Sequence, residues 1–205
     1  MSVVEDRAAA PPAAVQPETA ARQFLALAGV WLVLDQVTKA WVNASGPRGS
    51  ILHTILPSWF QISHSRNTGA AFGMLGGHPA GRWLFALVAV VALAVLVAYR
   101  RQVWRLPAPQ RVGLALVAAG AAGNLVDRLC RGGEVIDFIR IYLPRGGGNR
   151  YSFPDFNVAD IGVTCGMALY LIHTVYTDWQ LSRAAGVEAE AEPPAAPAVP
   201  PAAPR

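Results

Sequence analysis

The sequence predicts an all-α membrane protein of four transmembrane helices with a small β element outside the bilayer. Three observations carry this. Apolar residues make up 53% of the 205, and Asp, Glu, Lys and Arg only 15%, against about 25% charged in a typical soluble domain. Six of the 13 acidic residues crowd into the two ends, so only seven lie between Asp35 and Asp178. Four apolar segments free of charge follow one another along the middle of the chain. A soluble enzyme surface needs more charge, and disorder of the middle needs less hydrophobicity. The length suits one domain with tails.

Residues 1–21 are rich in Ala, Pro and charge without a period. They lack the apolar stretch of a secretory signal and read as a disordered leader. The membrane domain is expected over 22–183. Its first span, about 23–42, opens with the uncharged Gln23–Leu34 and continues past Asp35. The second, about 82–100, contains Trp83–Tyr99, 17 uncharged residues with no polar face. The third, about 111–128, contains Val112–Val126, with Gly113, Gly120 and Gly123 inside. The fourth, about 158–178, contains Ile161–Thr177, interrupted only by His173. Seventeen helical residues reach about 25 Å, near the ~30 Å hydrocarbon thickness once flanking residues are added. Residues 184–205 are Ala/Pro/Glu-rich and read as a disordered tail.

The connections set the orientation. Arg100 to Arg111 carries four arginines and no acid, which marks it as cytoplasmic and puts both termini on that side. The external loops are then about 43–81 and 129–157. Each holds a β-favouring run: the first contains FQISHSRNTGAAFGML, with strand-like alternation before a Gly/Ala-rich stretch, and the second VIDFIRIYL before the RGGGN cluster. The net charge of +4 comes from 16 Arg and one Lys. Those arginines flank apolar runs instead of forming an aromatic-laced basic stripe, so no nucleic-acid partner is expected. Cys130 and Cys165 have neither CxxC spacing nor a disulfide framework.

Charged residues inside a span are costly and face the protein interior or a polar cavity. Asp35, Asp127 and Asp160 qualify. Asp35 and Lys39 are spaced for a helical ion pair. Asp127 ends the third span and Asp160 starts the fourth, so antiparallel packing can bring them face to face. Two adjacent carboxylates share a proton and can act as base and acid towards water. Asn124 and Asn157, each three residues before an aspartate, supply neutral donors. Simpler readings exist: Asp160 as a helix-dipole carboxylate, Asp127 paired with Arg128. Asp137 and Asp155 read as dispensable loop carboxylates. There is no HExxH, the four histidines are scattered, and no GxSxG is present. No metal or cofactor is expected. A transporter or proton-conducting subunit that relays protons along the aspartates is the alternative from another class.

DQVTK (35–39), RNTGAAFG (66–73), GNLVDR (123–128), VIDFI (135–139) and FNVAD (156–160), in this order over about residues 23–178, resemble lipoprotein signal peptidase. The resemblance implies a monomeric aspartic endopeptidase of the bacterial inner membrane, with its active site near the external face. Its substrates would be diacylglyceryl-modified prolipoproteins, cut before the lipidated cysteine. It implies Asp127 and Asp160 as the catalytic pair, with Asn124, Asn157 and Ala159 beside them. Asp35, Lys39, Asn67 and Arg128 would support the site or touch substrate. Trp59, Phe60, Phe72 and the Gly/Ala stretch of the first external loop offer an apolar surface for lipid.

Overall fold

The computed structural model describes residues 16–69, 79–147 and 149–191. The expected leader up to residue 15, the tail beyond 191, and Phe72 with the rest of 70–73 lie outside them. The elements are α1 (Pro17–Ser45), β1 (Ile51–Leu56), β2 (Phe60–Asn67), α2 (Pro79–Ala98), α3 (Arg100–Val103), α4 (Ala108–Cys130), β3 (Val135–Pro144), β4 (Arg150–Ser152) and α5 (Val158–Ala191).

Two helices run past the expected domain limits. α1 begins at Pro17, inside the segment read as leader, because proline suits the first helical turn and Glu18 complements the helix dipole there. α5 continues to Ala191 through an Ala/Glu sequence of strong helix formers. Among the described residues, three helices are long and apolar enough to cross a membrane: Pro17–Ser45, Ala108–Cys130 and Val158–Gly186. The second expected span is also helical, but its apolar part, Trp83–Ala98, is shorter. Large apolar side chains such as Val33, Leu87 and Ile172 are exposed on these helices. That is the inverse of a soluble surface and suits contact with lipid.

Glycines let the helices approach. A Cβ on Gly113 would lie 2.5 Å from the Gly166 carbonyl oxygen, and one on Gly120 would lie 2.3 Å from that of Ala159. Small residues at both faces bring the α4 and α5 backbones together, as membrane helix packing requires when burial of apolar surface supplies no drive. The approach places the C-terminal end of α4 beside the N-terminal end of α5.

The two β-favouring runs form one antiparallel sheet of order β1-β2-β3-β4. β2 pairs with β3 in a register that sets Ser65 opposite Asp137 and Asn67 opposite Val135. One face packs on the end of α1, where Val42, Ile136 and Phe138 form a buried cluster. Gly132 and Gly133, both at positive φ, turn the chain from α4 into β3. This reversal carries Asp137 back over the helix ends.

Gly120→Val would drive two methyl groups into the α5 backbone. Overpacking of this kind costs about 1–3 kcal/mol or more, and the melting temperature in detergent should fall by several degrees. Gly29→Ala, with nothing within 4 Å of the new Cβ, should not lower it, since alanine is the better helix former.

Candidate active site

Four aspartates meet where α1, α4, α5 and β3 converge, and they divide into two pairs. Asp35 and Asp127 belong to the first. Lys39, fully buried, sets its Nζ 2.9 Å from Asp35 Oδ2 and 3.2 Å from Asp127 Oδ2, and donates to Asn124 Oδ1 at 2.9 Å. All three ammonium hydrogens are engaged. Asp35 Oδ1 accepts the Ala159 backbone N–H (2.8 Å), which ties α1 to the first turn of α5. Asp127 also accepts the Ile136 N–H (3.0 Å), Gln36 Nε2 (3.1 Å) and an ion pair from Arg131 Nη1. Gly123 makes room for this: a Cβ there would stand 2.4 Å from Asp35 Oδ2. Two carboxylates are balanced by two cations, so the group is neutral, and its polar atoms are partnered as a buried network requires.

Asp137 and Asp160 form the second pair. Neither has an ion-pair partner among the described residues. Asp137 is buried in β3 and is held by neutral amides: Asn157 Nδ2 donates to its Oδ1 (2.7 Å) and Asn67 Nδ2 to its Oδ2 (3.0 Å). Burial, reinforced by the negative charge of Asp160, pushes the Asp137 carboxyl up to about 7. Asp160 Oδ1 accepts Asn124 Nδ2 (2.7 Å), and its Oδ2 accepts the Asn157 N–H (3.1 Å). In return the Asp160 N–H donates to Asn157 Oδ1 (3.0 Å), a reciprocal cap that fixes the start of α5. Asn157 therefore touches both carboxylates, and Asn124 links Asp160 to Lys39.

Asp127, the partner that spacing suggests for Asp160, lies in the first pair. Asp127 is ion-paired with Lys39 and Arg131, whereas Asp137 and Asp160 accept hydrogen bonds only from amides. Arg128, the neighbour of Asp127 in the sequence, does not pair with it: Arg128 Nη1 donates to the Asn124 carbonyl (3.1 Å) and the guanidinium lies over Phe85 at 5.5 Å. Sequence reasoning set Asp137 aside as a loop carboxylate and did not consider Gln36 or Arg131. A signal for Asp137 was available, since it is the one acid inside the otherwise apolar run VIDFI. Asp155, the other aspartate set aside, is held by Arg140 Nε and Nη2 (2.9 and 2.7 Å) and by Ser63 (2.9 Å).

Cavities open on both members of the second pair. A groove of about 400 Å³ between α2, α4 and α5 is lined by Val88, Ala92, Val117 and Ala121 below and by Asn124, Arg128 and Asp160 at its polar end. A cavity of about 340 Å³ on the sheet side reaches Asp137 together with Ser65, Arg140 and Phe153. Asn67 lines both. Trp59 and Phe60 line neither; they sit at the β1–β2 turn.

A carboxyl pair lacking counter-ions, oriented by asparagines at the end of an apolar groove, is the equipment of a membrane peptidase of the aspartic class. Comparison with known proteins specifies which. A family profile described as signal peptidase II matches residues 27–176, and the chain belongs to that family. It is 43% identical to the lipoprotein signal peptidase of Symbiobacterium thermophilum over 157 residues, covering 75% of this chain and 95% of that one. With the lipoprotein signal peptidase of Pseudomonas putida the identity is 42%, covering 75% and 90%. A bacterial membrane enzyme solved by the in meso method at 2.3 Å matches with a TM-score of 0.63 and 30% identity, covering 75% of this chain and 88% of that one. Family membership displaces the transporter alternative.

Stability separates the two pairs. Lys39→Met leaves one of the two carboxylates uncompensated in a buried site, since Arg131 still pairs with Asp127, and should destabilise the protein by about 3–5 kcal/mol. Asp137→Asn removes a buried carboxyl that no cation balances. Below its unfolded value near 3.8 the raised pKa of Asp137 costs no stability; the cost grows as pH rises towards about 7 and is then complete. Asp137→Asn should therefore melt no lower than wild type at pH 8. Thermal denaturation of both variants in detergent measures this.

Proposed function

We propose that this chain removes signal peptides from diacylglyceryl-modified prolipoproteins in the bacterial inner membrane, cutting before the lipidated cysteine, with Asp137 and Asp160 as its catalytic pair. The observation that carries the assignment is the buried Asp137 carboxyl, which lacks a cation and sits close enough to Asp160 for its charge to act on it. Asp137 holds the shared proton. Asp160 takes a proton from the attacking water while Asp137 gives its own to the scissile carbonyl oxygen. The tetrahedral intermediate then collapses as the proton returns to the leaving amine. Asn124, Asn157 and Asn67 orient the carboxyls. Asp35, Lys39, Asp127 and Ala159 hold the frame around them.

The groove of α2, α4 and α5 receives the end of the signal peptide. A helix leaves its last four carbonyls unsatisfied, and Arg128 at the polar end of the groove offers donors to them. In this reading α2 is the fourth span. Its 16-residue apolar part reaches about 24 Å, and Trp83 anchors one end at the interface. Both termini and the arginine-rich α3 connection are cytoplasmic, the sheet is external, and the protein acts as a monomer.

Asp137→Asn and Asp160→Asn should each insert normally and lose at least about 10²–10⁴-fold in cleavage of a synthetic diacylglyceryl prolipopeptide, because either change removes the acid–base pair. The double variant should be little worse than the singles. Asp155→Asn should retain substantial activity. Near-normal cleavage by Asp137→Asn would overturn the assignment and return Asp127 to consideration.

The pair needs one proton, so kcat/KM should fall on an alkaline limb with an apparent pKa of about 7. Asn67 donates to Asp137 and favours its ionised form. Asn67→Ala should move the limb to higher pH in a profile of initial rates.

A further inference from the structure

Asp160 borders a second apolar recess that the catalytic reading leaves empty. The recess, about 330 Å³, adjoins the signal-peptide groove, with which it shares Asp160 and Thr164, and is lined by Phe153, Phe156, Ile161, Thr164 and Cys165. Phe153 and Phe156 meet edge-to-face at 5.9 Å and form its outer wall. Below it the α5 surface continues through Ala168 and Ile172 at spacings of three to four residues, an exposed apolar stripe running away from the site. The recess therefore opens onto the lipid-facing side of the helix.

The substrate on which the proposed function rests has two apolar arms at the scissile bond, a peptide on one side and acyl chains hung from the cysteine on the other. Hydrogen bonding decides which arm goes where. The longer groove ends on Arg128, whose Nε is buried without a partner among the described residues. A hydrocarbon chain there would leave that donor unsatisfied, whereas a peptide carbonyl satisfies it. Apart from Asp160 itself, the recess offers only Thr164 as a polar side chain, and a peptide lying in it would strand its backbone groups in a hydrocarbon setting. A methylene chain has nothing to satisfy. We infer that the recess between Phe153, Phe156 and the first turns of α5 is the subsite for an acyl chain of the diacylglyceryl group, with the Ile161–Cys165–Ala168–Ile172 stripe as its continuation into the bilayer. Asp160, which touches both cavities, stands where the two arms diverge.

The test compares two lipopeptides of one sequence, bearing dihexanoylglyceryl or dipalmitoylglyceryl on the cysteine, cut by the full-length enzyme in nanodiscs. Wild type should show a higher kcat/KM on the dipalmitoyl substrate. Cys165→Trp fills the recess and should shrink that preference about tenfold, the worth of losing contact with roughly two methylenes. Ala121→Trp fills the peptide groove and should lower kcat/KM on both substrates while leaving the ratio in place. An unchanged ratio in Cys165→Trp, or a collapsed one in Ala121→Trp, would overturn the inference. So would a wild type that cuts both substrates equally, which leaves the peptidase reading standing; a wild type that cuts neither overturns both. A second measurement avoids the bulky substitution. In Cys130→Ser, Cys165 is exposed and should be alkylated several times more slowly by a maleimide when the dipalmitoyl lipopeptide is bound to the Asp160→Asn form. The same peptide without lipid should not protect, and equal protection by the two would count against the subsite.

Discussion

One buried ammonium organises this membrane bundle. Lys39 is the only lysine in the chain, and it is fully buried between α1 and α4 with each of its hydrogens directed to an oxygen. In a low-dielectric interior neither two bare carboxylates nor a bare ammonium is tolerated, so Asp35, Asp127 and Lys39 hold one another in place together with Arg131. The constraint spreads outward. Asp35 captures the Ala159 N–H and positions the start of α5, Asp127 captures the Ile136 N–H and positions β3, and Asn124 relays the ammonium to Asp160. Elements from both ends of the chain are fastened to a single charge.

That arrangement leaves the other two carboxyls without an ion pair. Lys39 and Arg131 form their ion pairs with Asp35 and Asp127, whereas Asp137 and Asp160 have no ion pair among the described residues and are held by amides. A buried carboxyl in that position holds its proton to near-neutral pH, the property on which the proposed acid–base role rests. The helix contacts serve the same end. The glycines of α4 and α5 bring the backbones close enough for Asn124 to reach Asp160, and the turn at Gly132 and Gly133 folds β3 over both.

The elements of this fold are legible in local chemistry. Uncharged runs and β-favouring stretches name their own structures, and the four long helices and strands β2 and β3 fall where those signals lie. The Asp35–Lys39 pair is legible too, because four residues on a helix is a fixed distance. The limits of α1 and α5 are not: Ala- and Pro-rich composition suggests disorder, yet proline at a first turn and alanine beyond a packed helix both extend it.

The sequence alone determined the membrane class, the order of helices and sheet, and the family. Which carboxylate stands opposite Asp160 was decided only by tertiary structure. Asp127 and Asp137 both follow α4's glycines closely and both have asparagines within reach, so spacing cannot separate them. What separates them is which one a buried lysine and an arginine neutralise, and that depends on α1 crossing α4 at Gly123, where the absence of a side chain admits Asp35 and brings Lys39 with it. Electrostatic energy depends on distance through space and on burial, and neither is written in the spacing of residues along the chain.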